Sequence, residues 1–296
     1  MKNFVSRREF LGTTSILGVG IGLAGLPPMY RAAAESARGA PHGEKLGWRL
    51  ACNAYSFNKL TFYETMGKVS SLGLKYIVGF NWQKLDPQKP KAIFNEQMSP
   101  AERRETKKRL GDANLKLVAC YCRDLAKEEA CRRLFDFARE MGMETLDGEP
   151  PEAAFDMLDK LCGEYQLNVA VHNHAKPSHY WNPDTLMELF QGRSKRIGAC
   201  CDTGHWGRSG LSSVEMLKKL EGRILTFDLK DVTAEGVCVP FGTGRCDIRG
   251  ILKELRRQRF QGVLGIEYGQ RSPHHEAEIA QCVAYFDKVA QELAGS

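Results

Sequence analysis

The sequence predicts a (β/α)8 barrel, a single α/β domain in which eight parallel strands alternate with helices. Three observations carry this: eight short apolar runs of strand length, amphipathic helical patterns between them, and polar residues gathered where the later runs end. A strand buried on both faces reads as a continuous apolar run, which is how these segments read. A doubly wound open sheet is the competing architecture, but no glycine-rich dinucleotide or phosphate fingerprint follows the first run.

Taken in order, the first run is WRLACNA at about 48–54, and it delivers Asn53, Tyr55 and Phe57 to its end. The second, LKYIVGF at about 74–80, leads into a long irregular stretch at about 81–98 that contains Trp82. LKLVACY at about 115–121 and the run at about 143–148 follow, the latter ending at Glu149. The fifth, NVAVHN at about 168–173, carries His172, Asn173 and His174, and the sixth, RIGACCD at about 196–202, ends on Asp202 with His205 just beyond. The seventh, RILTFDL at about 223–229, presents Asp228 and Lys230 ahead of a second long stretch at about 230–246, and the last, GVLGIEY at about 262–268, carries Glu267. Helical spacing of Phe155, Leu158, Leu161 and Cys162 with Tyr165, and of Ile251, Leu252 and Leu255 among Lys and Arg, marks two of the intervening helices. The two long stretches occupy the places where barrels carry lids and binding loops.

At 296 residues, 43% hydrophobic and 26% charged, the chain is long enough for one large domain and ordinary in composition for a globular protein. Its net charge of +6 is spread among acidic residues rather than gathered into a block, so charge by itself does not point to nucleic acid. The barrel is expected over residues 47–294, after an N-terminal segment, 1–37, that stands apart from it. There Ser6-Arg7-Arg8-Glu9-Phe10-Leu11 precedes a weakly apolar, glycine-rich stretch to Leu26, then Pro27-Pro28 and Ala32-Ala33-Ala34. This resembles a twin-arginine export signal, which implies a periplasmic or otherwise exported protein without stable membrane association once the signal is removed. An apolar stretch this short and this broken by glycines is a poor membrane anchor.

All ten cysteines follow that segment, and several sit inside the apolar runs: Cys52, Cys120 with Cys122, Cys200 with Cys201. Export favours disulfides, but a chain folded in the reducing cytoplasm before export keeps its thiols free, and a free thiol in an apolar run behaves as a small buried hydrophobe. No CxxC pair is present to suggest a zinc ribbon or a thioredoxin-like site.

In a parallel barrel every strand ends at the same mouth, so Glu149, His172, His174, Asp202, Asp228 and Glu267 share one rim. Residues two apart on a strand point the same way, which pairs His172 with His174 and Asp228 with Lys230. Carboxylates and imidazoles converging in one pocket read as a divalent metal site. Each has a plainer reading: Glu149 beside a helix start complements the helix dipole, Asp202 caps the following turn, and His172 serves as a wall residue. Glu267, with no local partner, is costly to bury unless paired or bound to metal.

At these residues the chain resembles the sugar phosphate isomerase/epimerase family, the xylose-isomerase-like TIM barrels. The matching stretches are Gly148-Glu149-Pro150, Val171-His172-Asn173-His174, Cys201-Asp202-Thr203-Gly204-His205, Leu229-Lys230-Asp231 followed by Pro240-Phe241-Gly242-Thr243-Gly244 and Asp247, and Gly262-Val263 through Ile266-Glu267-Tyr268. The resemblance implies one divalent ion held by Glu149, Asp202, Glu267 and the strand-7 position, Glu149 and Glu267 as the acid/base pair, and His205 on a substrate hydroxyl. It implies a metal-dependent isomerase or epimerase working on a sugar or keto-sugar by proton abstraction. Where the family has His before Leu-Lys-Asp, this chain has Asp228. A shell of four carboxylates favours Mn or Mg over Zn; alternatively His174 joins it and Asp228 stands outside. His172, His174, His205, Lys230, Asn53 and Tyr55 are expected on the substrate, and Lys230 with the Gly242-Thr243-Gly244 loop offers an anion cradle.

A leaving group one carbon further along turns the same chemistry into that of a lyase or dehydratase. Loss of the ligands leaves a non-catalytic carbohydrate-binding barrel, a reading that Asp228 keeps open. Endonuclease IV shares the barrel, but it uses a histidine-rich multi-zinc cluster, and this chain has seven His, with His274 and His275 in the last helix region. The sequence leaves self-association open.

Overall fold

The computed structural model of the chain describes residues 39–269 and 272–295. Segment 1–37, expected from the sequence to be an export signal, lies outside these residues. Eight strands, β1 (Trp48–Asn53), β2 (Tyr76–Phe80), β3 (Lys116–Tyr121), β4 (Thr145–Gly148), β5 (Asn168–His172), β6 (Ile197–Asp202), β7 (Ile224–Leu229) and β8 (Gly262–Ile266), close into a barrel. Every neighbouring pair is parallel, and β1 closes the ring against β8 in the register Trp48↔Gly262 through Cys52↔Ile266. All eight apolar runs of the sequence are therefore barrel strands.

The outer helices are α1 (Phe62–Ser71), α2 (Pro100–Asp112), α3 (Glu128–Met141), α4 (Phe155–Tyr165), α5 (Pro183–Phe190), α6 (Ser213–Lys219), α7 (Ile248–Arg257) and α8 (His275–Ala294). Local chemistry sets their starts. Thr61 with Glu64 and Ser99 with Glu102 form reciprocal capping boxes that satisfy the orphan N–H groups at the heads of α1 and α2. Apolar faces such as Leu134, Phe135, Phe137 and Ala138 on α3, or Ile251, Leu252 and Leu255 on α7, turn inward and pack on the strands. A short helix, Pro41–Lys45, lies against α8, where His42 bonds Asp287, and a side chain at Gly43 would strike Phe286. Among the described residues no helix is long and apolar enough to cross a membrane.

Two stretches that read as irregular each contain a hairpin. Lys84–Asp86 pairs with Lys89–Ile93 after β2, and Asp231–Val232 pairs with Cys238–Val239 after β7. Their strands are only two to five residues long, too short to show a period of two. The Asp231 carboxylate organises the second loop by accepting the N–H groups of Gly242, Gly244 and Cys246. All ten cysteines are buried and unpaired by disulfides, as apolar packing of free thiols requires.

A candidate metal and acid/base site at the mouth of the barrel

Alternation along each strand stacks the inward side chains in layers. In the lower layer Asp147 on β4 accepts a hydrogen bond from Thr226 Oγ1 on β7 at 2.9 Å, and Cys200 on β6 lies 3.9 Å from Asp228 Oδ2. Two residues beyond Asp147, Cys200 and Thr226 stand Glu149, Asp202 and Asp228, with His174, Lys230 and Glu267 just past the ends of β5, β7 and β8. Parallel closure thus gathers side chains far apart in sequence into one pocket.

Its centre is His172. The imidazole Nε2 lies 3.3 Å from Asp202 Oδ2 and 3.3 Å from Asp228 Oδ2, and all three residues are buried. On the other side of the ring, Nδ1 has no hydrogen-bond partner and sits 4.0 Å from Glu149 Oε1. Burial alone lowers the pKa of an imidazole; the carboxylates of Asp202 and Asp228 outweigh that and raise His172 to about 10. The same contacts hold Asp228 below the usual carboxylate range against its burial. Asp202 is held well below that range because Lys230, His205 and His172 together outweigh its desolvation.

Asp202 does two jobs. One oxygen caps the short helix Thr203–Arg208 by accepting the His205 N–H at 2.8 Å, while the other faces the site. The plainer reading of this residue as a cap is correct, and its second oxygen is placed where the metal reading would need it. Asn173 locks it in place by pairing its side-chain amide with the Asp202 backbone N–H and C=O.

Glu267 and Asp202 face the same space, because the Lys230 ammonium bonds Asp202 Oδ2 and lies 2.9 Å from Glu267 Oε1. Asn53 Nδ2 bridges the other side, 2.9 Å from Asp228 Oδ1 and 3.1 Å from Glu267 Oε2. Burial raises the pKa of Glu267, with Lys230 opposing and the neighbouring Asp228 and Asp202 adding to the rise. Glu149 is held otherwise: the Tyr121 hydroxyl donates to it at 2.8 Å and His174 Nδ1 bonds it, and these contacts overcome burial to leave it below the ordinary value. Burial drops His205 to about 3, helped by the positive charge of Lys230, even though Asp202 lies 3.6 Å away.

Among the described residues two groups of donors are close enough to share an ion: His172 with Asp202 and Asp228, and Glu149 with His172 and His174. The expected shell of Glu149, Asp202, Asp228 and Glu267 is divided by this geometry. Glu149 lies on the His174 side, and Glu267 belongs to neither group, its oxygens being occupied by Lys230 and Asn53. The two 3.3 Å separations from His172 Nε2 match those of donors bound at roughly 2.1 Å around one divalent ion, and the Lys230 ammonium shares Asp202 Oδ2 with that place. The imidazole that strand 7 lacks is thus available from strand 5.

Of the residues expected on the substrate, Asn53 and Lys230 are committed to carboxylates, His172 to the centre of the site, and His174 and His205 border it with their rings 4.6 Å apart. The anion cradle is corrected: Lys230 is paired with two carboxylates, and the amides of Gly242 and Gly244 already bond Asp231. Tyr55, 38% exposed, opens a ladder of rings through Phe80, Trp82 and Tyr121 to His172. Phe57 is instead buried against His275. Sequence reasoning missed Tyr121, Asp147 and Arg123, whose guanidinium lies 3.9 Å over the Trp82 ring. A signal existed for Asp147, which is two residues before Glu149 and so faces the same way; the other two sit at and just past the end of an apolar run.

A closed parallel barrel with an acidic and imidazole-lined mouth defines a class of (β/α)8 barrels with a candidate metal site. Within that class the assignment is direct: the profile of the xylose isomerase-like TIM barrel family matches residues 68–289, and the chain belongs to this family. No curated protein matches it at a significant level. Among solved structures, an uncharacterised protein from Parabacteroides distasonis ATCC 8503 is 28% identical with a TM-score of 0.68, covering 82% of this chain and 99% of that one. A D-tagatose 3-epimerase-like protein is 14% identical with a TM-score of 0.66, covering 84% and 100%. A xylose isomerase-like TIM barrel protein from Mycobacterium smegmatis, in complex with magnesium, is 14% identical with a TM-score of 0.67, covering 83% and 97%.

Proposed function

We propose that this protein is a metal-dependent isomerase or epimerase acting on a sugar or keto-sugar by proton transfer at a carbon next to a carbonyl. The observation that carries this reading is the placement of two carboxylates, Glu149 and Glu267, on opposite sides of the mouth. β4 and β8 are four strands apart in either direction around the closed ring. The His172, Asp202 and Asp228 group lies on the strands between them. Those three residues would hold the ion. A divalent cation there would polarise a carbonyl and its neighbouring hydroxyl and so make the adjacent C–H acidic.

The chain's own groups then divide the proton work. The two carboxylates have pKa values displaced in opposite directions, Glu149 downward and Glu267 upward, the pattern expected of a base paired with an acid. In one direction Glu149 accepts the carbon-bound proton and Glu267 returns one from the opposite face; in the reverse direction they exchange roles. Tyr121 and His174 orient Glu149, and Asn53 and Lys230 orient Glu267. His205, uncharged because burial holds its pKa near 3, is suited to a neutral hydrogen bond with a sugar hydroxyl. Tyr55 and Trp82 offer aromatic surface for a sugar face.

Incubating candidate keto-sugars with the Mn-loaded protein in heavy water tests the proposal. Solvent deuterium is expected at the carbon beside the carbonyl; an accepted substrate that turns over without such exchange removes the proton-transfer scheme. Exchange accompanied by loss of a substituent one carbon further along assigns the lyase variant. Binding without exchange or turnover assigns a carbohydrate-binding barrel. We also propose export by the twin-arginine route, on the strength of Arg7-Arg8 and the stretch after them; accumulation of an Arg7→Lys/Arg8→Lys variant in the cytoplasm is the expected outcome.

A further inference from the structure

The short helix Thr203–Arg208 sets His205 and Arg208 one turn apart, so their side chains are neighbours. His205 turns Nε2 toward the site, 3.6 Å from Asp202 Oδ2, and turns Nδ1 toward Arg208. The Arg208 guanidinium bridges from that ring to the hairpin after β7: Nε donates to the Gly236 carbonyl at 3.0 Å, Nη2 to Cys238 Sγ at 3.4 Å and Nη1 to His205 Nδ1 at 3.4 Å. Among the described residues it pairs with no carboxylate. Two glycines bring these pieces together. At Gly207 a Cβ would stand 2.7 Å from Cys246 Sγ and 3.0 Å from Val232 Cγ2, so only glycine lets the helix press this closely on the hairpin. Gly236, at φ +81°, turns the hairpin, and a Cβ there would stand 3.2 Å from Arg208 Cγ.

We propose that Arg208 is a positioning residue that sets the tautomer of His205, holding Nδ1 as an acceptor so that the one ring proton stands on Nε2 and is offered to a substrate oxygen. A guanidinium has N–H donors and no acceptor, so the nitrogen that faces it must present a lone pair. A neutral imidazole carries a single proton, and the hydrogen bond at one nitrogen decides where it goes. The contact also selects the orientation of the ring, because a ring turned over would set a C–H edge against the guanidinium. Nε2–H then stands on the side of Asp202 Oδ2, where it can give a hydrogen bond to a carbonyl or hydroxyl oxygen but cannot take a proton. His205 is thereby kept out of the acid/base work, which stays with the two glutamates. The hairpin fixes two of the three guanidinium nitrogens, so the loop after β7 acts on the substrate through one arginine. The substrate oxygen rests on the function proposed above; the tautomer does not.

The test is heteronuclear NMR of the full chain, labelled with heavy nitrogen at histidine and supplied with Mg2+, which reports which ring nitrogen bears the proton. His205→Gln assigns the signals, and thermal melts confirm that each variant folds. Wild type is expected to show the Nε2–H form at His205. Arg208→Met, which keeps much of the stem but no donor, should shift the population toward Nδ1–H; Arg208→Lys should hold more of the wild-type form, because an ammonium also only donates. Gly236→Ala pushes on the arginine stem without removing the guanidinium and should shift the population the same way by less; it carries the test if Arg208→Met does not fold. With a substrate that turns over, Arg208→Met should lower kcat about tenfold and leave KM within about threefold. A wild-type Nδ1–H form, or a tautomer unchanged in Arg208→Met, overturns the proposal and leaves Arg208 as an anchor of the hairpin; so does a loss confined to KM. Because the tautomer is read without substrate, those results leave the proposed function standing. The expected tautomer in a protein that exchanges no proton on any keto-sugar overturns that function alone.

Discussion

The two halves of the barrel's rim are made of different chemistry. Strands β4 to β8 contribute Glu149, His172, Asp202, Asp228, Lys230 and Glu267, a charged network in which nearly every polar atom has a partner. Strands β1 to β3 and their loops contribute Asn53 and a run of rings, Tyr55, Phe80, Trp82 and Tyr121. The charged half is fixed by hydrogen bonds and buried at His172, Asp202, Asp228 and Lys230, with Glu149 and Glu267 half-buried, while the aromatic half opens to solvent at Tyr55. On the proposed function the difference separates two tasks: charge would move protons and hold an ion, and rings would present a flat apolar face to a sugar. Tyr121 joins the halves, with one ring contact to Trp82 and its hydroxyl on Glu149.

The largest effects should fall on the charged half. Asp202→Ala leaves the ammonium of Lys230 and the imidazole of His172 short of a partner and uncaps the following helix. A stability loss of about 3–5 kcal/mol is expected by urea unfolding, together with loss of metal binding. A fully stable Asp202→Ala protein would show that the network is not what fixes this half. Glu149→Gln keeps the shape and the bond from Tyr121 but removes the proposed base; turnover should fall roughly 100- to 10,000-fold while the melting temperature moves little. If the two glutamates act as a pair, Glu267→Gln should cost a similar factor.

Much of this was legible in the sequence, for a definite reason. A strand buried on both faces shows as an apolar run, and a polar residue at its tip interrupts the run, so β5, β6 and β8 announced the placement of His172, Asp202 and Glu267 at one mouth. Partnership was not legible. Nothing in the spacing of Phe227-Asp228-Leu229-Lys230 says that Lys230 bonds carboxylates from β6 and β8, because those contacts depend on ring closure and on how far a flexible stem reaches. Asp231 was equally opaque: it reads as part of a motif but serves the amides of its own loop. The short hairpins were hidden because two to five residues carry too little pattern.

Asp147 tests how far the charged half extends below the rim. Burial first, and the nearby charge of Asp228 second, push its carboxyl up to about 7, with the Thr226 hydroxyl opposing. Its unfolded value is about 3.9, so between those values the folded state holds a proton that the unfolded state releases. Stability contributed by Asp147 is therefore present below about pH 4 and lost as pH rises to about 7. Asp147→Asn resembles the protonated form and can still accept from Thr226. In metal-free protein the variant should be more stable than wild type at pH 8, by on the order of 3 kcal/mol, with the gap closing toward pH 4. A gap that does not change with pH would mean that Asp147 is ionised in the fold.

The smallest effect, and the one that most sharpens the comparison, belongs to Trp82. Its ring contacts Phe80 at 4.9 Å and Tyr121 at 5.6 Å between centroids, and Arg123 covers it at 3.9 Å. It touches no group of the charged network directly. If it serves only to seat the sugar, Trp82→Ala should raise KM about tenfold, some 1.4 kcal/mol of lost stacking, and leave kcat within about threefold. Phe in its place should recover most of that loss, because a ring face is what is needed. A fall in kcat comparable to that of Glu149→Gln would mean that the rings position Tyr121, and through it the base, so that the two halves work as one.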